Sequence, residues 1–421
     1  MEVWVAAAIF LATYALIATD RIDKTIAALL GGVAMVIARV VDQETAFHAI
    51  DFNVIFLLAG MMMLAGILRR TGFFQWVAIR SVKLARGEPY RLLIILSVVC
   101  AVLSAFLDNV TTVVLLAPVT LYIATTLRIS PLPFLIGEIL ASNIGGTATL
   151  IGDPPNILIG SAAGLDFVAF LGHLGPVTVV IFAVFLLTIR PFFGRQLAVA
   201  PAVRDLVLGM DEREVITDPR LLRLSLIVIL ATIGGFLLAR PLEYEVASIA
   251  LLGATVLMLV SRIEPESVLE EVEWKTLLFF VGLFMLVEGI VHVGIIGGIA
   301  DLLFQATGGD LGVTTIGLLW LSGIASGIVD NIPYTATMIP VVQQLGQAGL
   351  DTGPLWWSLA LGACLGGNLT IVGASANVVV ANLAAKADHP IGFGLFFRYG
   401  VIMVIESLVI STLYLWLRYL L

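Results

Sequence analysis

Long apolar runs separated by short polar segments fill the chain from end to end. Runs of about 17 to 25 apolar residues can cross a ~30 Å hydrocarbon layer as helices. They predict membrane-spanning segments near 3–19, 25–40, 52–68, 134–164, 168–189, 221–239, 245–261, 276–292, 355–385 and 391–417. Two further apolar stretches, 91–127 and 312–350, carry an Asp-Asn pair near the middle. We expect each of these two stretches to fold back as a re-entrant hairpin.

Composition supports a membrane protein. The 421 residues are 60% hydrophobic and 12% charged, whereas soluble domains carry about 25% charged residues. The mean hydropathy is +1.08. The first apolar run lacks a basic leader and a small-residue cleavage site, so we expect no cleaved signal peptide. The 2 cysteines both lie in apolar segments, which implies no disulfide framework.

Lysine and arginine predict the orientation. With the N-terminus outside, every basic residue except Arg39, Arg240 and Arg418 falls on the cytoplasmic side, as the positive-inside rule requires. We therefore predict that both termini lie outside and that the chain crosses the cell's inner (plasma) membrane several times. Residues 71–90 have an apolar face opposite a basic one and predict a helix lying in the cytoplasmic interface. Residues 190–220 read as a cytoplasmic linker.

An internal repeat relates residues 1–189 to residues 221–421. Aligning the two halves places Asp108-Asn109 on Asp330-Asn331, and it places "GGTATLIGDPPN" (145–156) on "GGNLTIVGASAN" (366–377). Each half has five crossings and one hairpin, so the second half must be inverted relative to the first. We predict an all-α polytopic membrane protein with two inverted repeats, a design common among secondary transporters.

Four polar elements converge under this repeat: the two Asp-Asn hairpin tips and two glycine-rich interruptions. Glycine and small hydroxyl residues allow a helix to unwind, which frees backbone groups to bind a solute or ion. The predicted substrate- and ion-binding residues of the first half are Asp108, Asn109, Thr111, Thr112, Asn143, Thr147, Thr149, Asp153 and Asn156. Those of the second half are Asp330, Asn331, Thr335, Asn368, Thr370, Ser375 and Asn377. Two further candidates are Glu138, which we expect to face the first interruption, and the Cys364 thiol beside the second.

The charge of these segments indicates the kind of solute. They contain acids but no lysine or arginine, so we expect no basic partner for an anionic substrate. Buried carboxylates suit proton carriage or Na⁺ coordination. This favours a neutral substrate or a small cation, although Na⁺ bound to the acids would also allow an anion symporter. The alternative structural interpretation is that each Asp-Asn pair forms a tight turn or caps a helix.

The sequence resembles the ion transporter superfamily, in particular its arsenite permease, NhaD-type antiporter and P-protein branch. The resemblance rests on "FLDNVTTVVLLAPVT", "ASNIGGTATLIGDPPNILI" and "VDNIPYTATMIPV". It implies a scaffold of helices 3–68 and 221–292. It also implies an elevator-like transport domain formed by the two hairpins and by the broken helices 134–164 and 355–385. Helices 168–189 and 391–417 complete the two repeats. The tips of dicarboxylate carriers in the wider superfamily read Ser-Asn-Thr, which differs from the tips here.

Together these features predict a secondary transporter and not an enzyme. The leading hypothesis is proton-coupled export of arsenite or antimonite as the neutral trihydroxide. A Na⁺/H⁺ antiporter and a Na⁺-coupled anion symporter remain as alternatives, and an ion channel or intramembrane aspartyl enzyme is disfavoured. No cofactor or metal site is expected beyond the coupling ion, H⁺ or Na⁺. The expected partners are a small inorganic substrate and the lipid bilayer, and the resemblance admits a homodimer and a peripheral ATPase subunit. Nucleic acid is not expected.

Overall fold

A computed structural model describes residues 2–19, 21–193, 212 and 214–421. Most of the predicted linker 190–220 therefore lies outside the described residues. Every regular element in the described part is helical. The helices of the first half are α1 Glu2–Thr19, α2 Lys24–Ile37, α3 Gln43–His48, α4 Phe52–Arg70, α5 Phe73–Leu84, α6 Pro89–Phe106, α7 Asn109–Leu127, α8 Leu132–Gly146, α9 Pro154–Ala163 and α10 Phe167–Phe193.

The second half has the same order of elements. Its helices are α11 Pro219–Leu238, α12 Val246–Ser261, α13 Pro265–Leu269, α14 Trp274–His292, α15 Ile295–Ala306, α16 Leu311–Val329, α17 Asn331–Gln347, α18 Thr352–Gly366, α19 Ser375–Lys386 and α20 Phe393–Leu415. A 3₁₀ turn, Ile371–Gly373, separates α18 from α19, and a π-helical segment, Trp416–Leu420, follows α20.

The predicted spans agree with these helices to within a few residues. In the described part, nine helices are long and apolar enough to cross a membrane, which confirms a multi-span helical protein. The two predicted broken helices are both interrupted. Residues 147–153 separate α8 from α9, and Pro154 and Pro155 open α9, where the absence of proline N–H groups costs no helical hydrogen bonds.

Two short helices occupy equivalent places after the third long helix of each half. The first, α5, packs against α6 and α7, with Phe74 and Val82 fully or nearly fully buried. Its counterpart α15 was not predicted, because 12 residues with paired glycines are too short and too flexible to resemble a span. Each begins after a glycine, Gly72 or Gly294, with φ of +80°, a conformation that glycine adopts without steric cost.

Two equivalent pairs of helices, α4 with α12 and α2 with α14, pack closely across the two halves. A Cβ atom on Gly60 of α4 would lie 2.8 Å from the carbonyl carbon of Ala250 in α12. A Cβ atom on Gly282 of α14 would lie 2.5 Å from the carbonyl carbon of Ala28 in α2. Small residues let helix backbones approach in this way. The alignment that matches the two Asp-Asn pairs also places Gly60 on Gly282 and Ala28 on Ala250. The same close contact is therefore present twice, once in each pair of helices.

Candidate transport site

The two aspartates join the helices of each hairpin almost without a loop. Asp108 lies between α6 and α7, and Asp330 between α16 and α17, with φ of +116° and +104°. Non-glycine residues in such conformations cost about 1–3 kcal/mol each and cluster at functional sites. Both side chains cap the helix that follows, accepting from the backbone N–H of Thr111 at 2.9 Å and of Ile332 at 3.1 Å. The capping interpretation is thus correct locally, but both carboxylates are also buried, at 5% and 6% exposure.

Each hairpin tip is attached to the interruption in its own half by a repeated pair of hydroxyl hydrogen bonds. Ser104 donates to the carbonyl of Ser142, and Thr149 donates to the carbonyl of Ala105. The second half repeats both bonds through Ser326 to Ala363 and through Thr370 to Gly327. Tip and interruption therefore form one unit in each half, as the predicted convergence of the four polar elements requires.

Asparagines at the starts of α9 and α19 satisfy the carbonyls that the interruptions leave free. The Asn156 side chain donates to the carbonyl of Thr149 at 2.8 Å, and Asn377 donates to that of Thr370 at 2.9 Å. Thr147 instead donates to the carbonyl of Asn143 within its own helix. The asparagines thus hold each unwound segment in a defined shape, whereas Thr147 stabilises the end of α8.

A chain of side-chain amides crosses between the halves. Asn143 of α8 accepts from Asn109 at 3.0 Å and donates to Asn368 and Asn377, both at 2.9 Å. The equivalent of Asn143 in the repeat is Cys364, and its thiol donates to Asn156 at 3.3 Å. Both positions therefore bridge to the asparagine of the opposite broken helix. These buried amides are the centre of the site.

Some polar atoms of the first tip have no hydrogen-bond partner among the described residues. The Oδ1 atom of Asn109 and the hydroxyl of Thr112 are buried and unpartnered, although buried polar atoms are nearly always hydrogen-bonded. Both belong to the first hairpin tip and were predicted as binding residues. A free acceptor in the amide chain and a free hydroxyl three residues later in the same helix are suited to hydrogen-bond a small polar solute.

Asp153 links the first interruption to the second tip. Its carboxylate is fully buried and accepts from the Asn331 side chain at 3.1 Å. Thr335, one turn later, donates to the carbonyl of Asn331 and so supports the tip backbone instead of facing the centre. The geometry thus brings three carboxylates, those of residues 108, 153 and 330, to one region.

The expectation that this region has no basic partner is wrong. Lys24, the first residue of α2, lies 3.4 Å from the Asp330 carboxylate and donates a hydrogen bond to Ser375. Ser375 in turn lies 3.3 Å from the same carboxylate. The sequence did not indicate this contact because Lys24 is far from Asp330 along the chain and falls in a predicted surface loop. The signal in the sequence is Asp23, an N-capping aspartate, which places Lys24 at the first position of a helix.

Glu138 is also placed differently from the expectation. Its carboxyl group accepts from the hydroxyl of Thr120 in α7, and its second oxygen is buried with no hydrogen-bond partner in the described part of the chain. It therefore points into the first hairpin and does not face the interruption. A carboxyl group one turn before Ser142 lies too early in α8 to reach the unwound segment.

A cavity of about 560 Å³ reaches the second tip. Its lining includes Lys24, Asp330, Ser375, Glu273 and Val378. The equivalent place in the other half holds a smaller cavity of about 300 Å³, lined by residues such as Asn53, Ile157 and Val246. Asp108 is not among the residues lining this smaller cavity. Asp330 therefore lines a cavity, whereas Asp108 lines neither of these two.

Comparison with known proteins assigns the chain to a family. A profile described as "CitMHS: Citrate transporter" matches residues 14–362. The chain belongs to the citrate transporter family. Over 424 residues it is 45% identical to an uncharacterized transporter of Mycobacterium bovis, covering 99% of this chain and 98% of that protein. It is 35% identical to the human P protein over 499 residues, covering 98% of this chain but 60% of that protein.

A solved structure shares the fold. The crystal structure of the YdaH transporter from Alcanivorax borkumensis aligns with a TM-score of 0.59 at 16% identity, covering 89% of this chain and 87% of that one. The predicted membership of the ion transporter superfamily, with the P protein as a relative, is confirmed. This member of the citrate transporter family is a multi-span secondary transporter.

Proposed function

We propose that the protein exports arsenite or antimonite as the neutral trihydroxide in exchange for protons, across the inner (plasma) membrane. The observation that carries this proposal is the amide chain from Asn109 through Asn143 to Asn368 and Asn377. Amides both donate and accept hydrogen bonds, which matches a solute whose hydroxyl groups do the same. The free atoms of Asn109 and Thr112 provide additional hydrogen-bonding capacity.

The charge balance of the site supports a neutral solute even with Lys24 present. Three carboxylates, Asp108, Asp153 and Asp330, surround the centre, whereas Lys24 contributes one positive charge and is already paired with Asp330. An additional anion would meet an excess of negative charge in a region of low dielectric constant. A neutral solute avoids this repulsion, and protonation of a carboxylate would remove it.

Asp108 is the proposed proton carrier. Its side chain is bonded to the backbone N–H of Thr111, and no ion pair of the described residues includes it. A buried carboxyl group without a cation is most readily neutralised by a proton. The tips and interruptions would then move together as an elevator-like domain between two inverted states, with both termini outside. A homodimer in the bilayer is the proposed assembly, and a peripheral ATPase subunit is a further proposed partner.

Flux measurements with purified protein in liposomes test the function. We expect arsenite to move against its gradient when a pH gradient is imposed, and to equilibrate slowly without one. Absence of arsenite and antimonite flux under both conditions would refute the substrate. Control liposomes carrying Asp108→Asn protein should show exchange without a response to pH.

Lys24 favours a second candidate, Na⁺-coupled uptake of a carboxylate anion such as citrate, the substrate in the family's description. If bound cations neutralise the aspartates, the Lys24 ammonium group becomes available to the anion. Citrate flux that requires external Na⁺ would select this function. Proton release on addition of Na⁺, with no effect of arsenite or citrate, would instead select a Na⁺/H⁺ antiporter.

A further inference from the structure

One difference between the two hairpin tips is an ion pair. The alignment that matches the two Asp-Asn pairs places Lys24 on Val246, and these are the first residues of the equivalent helices α2 and α12. Asp330 therefore has a lysine partner, whereas the valine at the equivalent position cannot form an ion pair with Asp108. Because the first tip adopts the same hairpin without a lysine at this position, the hairpin itself does not require one.

The lysine reaches the tip from a helix that packs elsewhere. The body of α2 packs against α1 and α14, while Asp330 and Ser375 belong to the hairpin and broken helix of the second half. Lys24 and Asp330 both line the same 560 Å³ cavity. The Lys24 side chain also lies over the ring of Phe279, 5.3 Å from its centroid. The ion pair is thus a contact between two groups of helices and not within one.

Other charged and titratable groups lie close to this ion pair. The charge of Asp330 acts on the Asp153 carboxyl group and on the Tyr14 hydroxyl. Those that line the mouth of the cavity are Asp23, Glu273 and Lys275. Lys275 is paired with Asp23 at 3.3 Å, so Lys24 is the cation in direct contact with the tip.

We propose that Lys24 is a positioning residue that holds the second hairpin tip against α2 while this cavity is open, and whose ion pair with Asp330 must break before the tip moves. A proton or bound cation that neutralises Asp330 removes the partner of Lys24 and releases the tip. The two aspartates then have different tasks, since Asp108 carries a proton whereas Asp330 controls the movement. This inference rests on the proposed function in one respect, namely that the tips move relative to α2.

Two equivalent cysteine reporters test the proposal without any substrate. Val378→Cys lies in the larger cavity and Ile157→Cys in the smaller one, and the alignment of the two glycine-rich interruptions relates the two positions. The native Cys100 and Cys364 are both fully buried, so background labelling is low. Each reporter is labelled with a charged maleimide in full-length protein in lipid nanodiscs, where both faces are accessible.

Lys24→Met should lower the labelling rate at Val378→Cys and raise it at Ile157→Cys. The expected change is about tenfold in the ratio of the two labelling rates, as for the loss of one hydrogen bond to a charged group. Asp330→Asn should have the same effect, and the double variant should add nothing further. Exchanging the two charges, with Lys24→Asp and Asp330→Lys together, should restore the original rates.

Lys275→Met is the matched control, because this lysine lines the same cavity but is paired with Asp23. It should leave both rates unchanged. Unchanged labelling in Lys24→Met, or an equal change in Lys275→Met, would overturn the proposal. Parallel increases at both reporters would also overturn it, because they would indicate local loosening. If Lys24→Met does not fold, Asp330→Asn and the charge exchange decide the question. The labelling result stands whether or not arsenite is the substrate, so the two proposals fail independently.

Discussion

Replacing Asn143 with alanine tests the amide chain at the centre of the site. The change removes three hydrogen bonds, one accepted from Asn109 and two donated to Asn368 and Asn377. Side-chain hydrogen bonds contribute about 0.6–1.5 kcal/mol each in helical membrane and soluble proteins. Losing all three should lower the free energy of unfolding by about 2–4 kcal/mol, because the partner side chains stay buried and cannot hydrogen-bond to water instead.

Reversible unfolding of purified protein in mixed micelles measures this loss, and solute counterflow in liposomes measures activity. Asn143→Ala should lose both stability and counterflow. Asn382→Ala is the control, because Asn382 is exposed at the edge of the larger cavity and its loss should change stability by less than about 0.5 kcal/mol. A change at Asn143 no larger than that at Asn382 would refute the view that the amide chain joins the two halves.

Three further predictions concern helix packing, the buried acid Glu138 and the pH dependence of stability. Gly366→Ala should destabilise the protein by about 1–3 kcal/mol, because its Cβ atom would lie 2.4 Å from a backbone oxygen of α16. In the same unfolding assay the control Gly317→Ala should be neutral or stabilising, because its Cβ atom would meet nothing within 4 Å. Glu138→Gln should retain the fold and activity, since the amide oxygen still accepts from the neighbouring hydroxyl, and loss of pH-driven flux in this variant would instead assign Glu138 to proton transfer. Burial raises the pKa of Asp23, but hydrogen bonds from Thr25 and Lys275 outweigh it and hold that pKa below its usual value. The stability contribution of a lowered pKa is present above the unfolded-state pKa and is lost as the pH falls through the folded-state pKa. The difference in melting temperature between wild type and Asp23→Ala should therefore stay constant from pH 8 to about pH 4 and shrink only in more acidic solution. A difference that shrinks near neutral pH would contradict the lowered pKa of Asp23.

The sequence predicts the helices well because the period and length of apolar runs are local properties. The interruptions were predictable for the same reason, since Pro154-Pro155 and the paired glycines act on their own segments. The repeat then indicated which segments share a role, and the structure shows the same serine, threonine and asparagine contacts in both halves. The inverted orientation and the elevator movement remain proposals.

Contacts between distant segments were harder to predict. The Lys24 ion pair joins residues 306 positions apart, and the repeat does not indicate it because the equivalent residue is Val246. The helix α15 was missed because its glycines weaken the apolar pattern. Glu138 was placed at the interruption by its proximity in sequence, whereas helical geometry directs it one turn away, toward Thr120. In each case the deciding property was the direction of a side chain in space, which a single sequence does not contain.

Proton movement in Asp108→Asn protein tests the central claim most directly. Liposomes containing an internal pH dye are loaded with wild-type or variant protein, and the solute selected by the flux assay is added outside. We predict that in the wild type protons leave the liposomes as the solute enters, and that Asp108→Asn retains solute counterflow but moves no protons. Asp351→Asn, an exposed helix cap outside the site, should behave as the wild type. Solute-dependent proton movement that is undiminished in Asp108→Asn would contradict the role of the first hairpin tip.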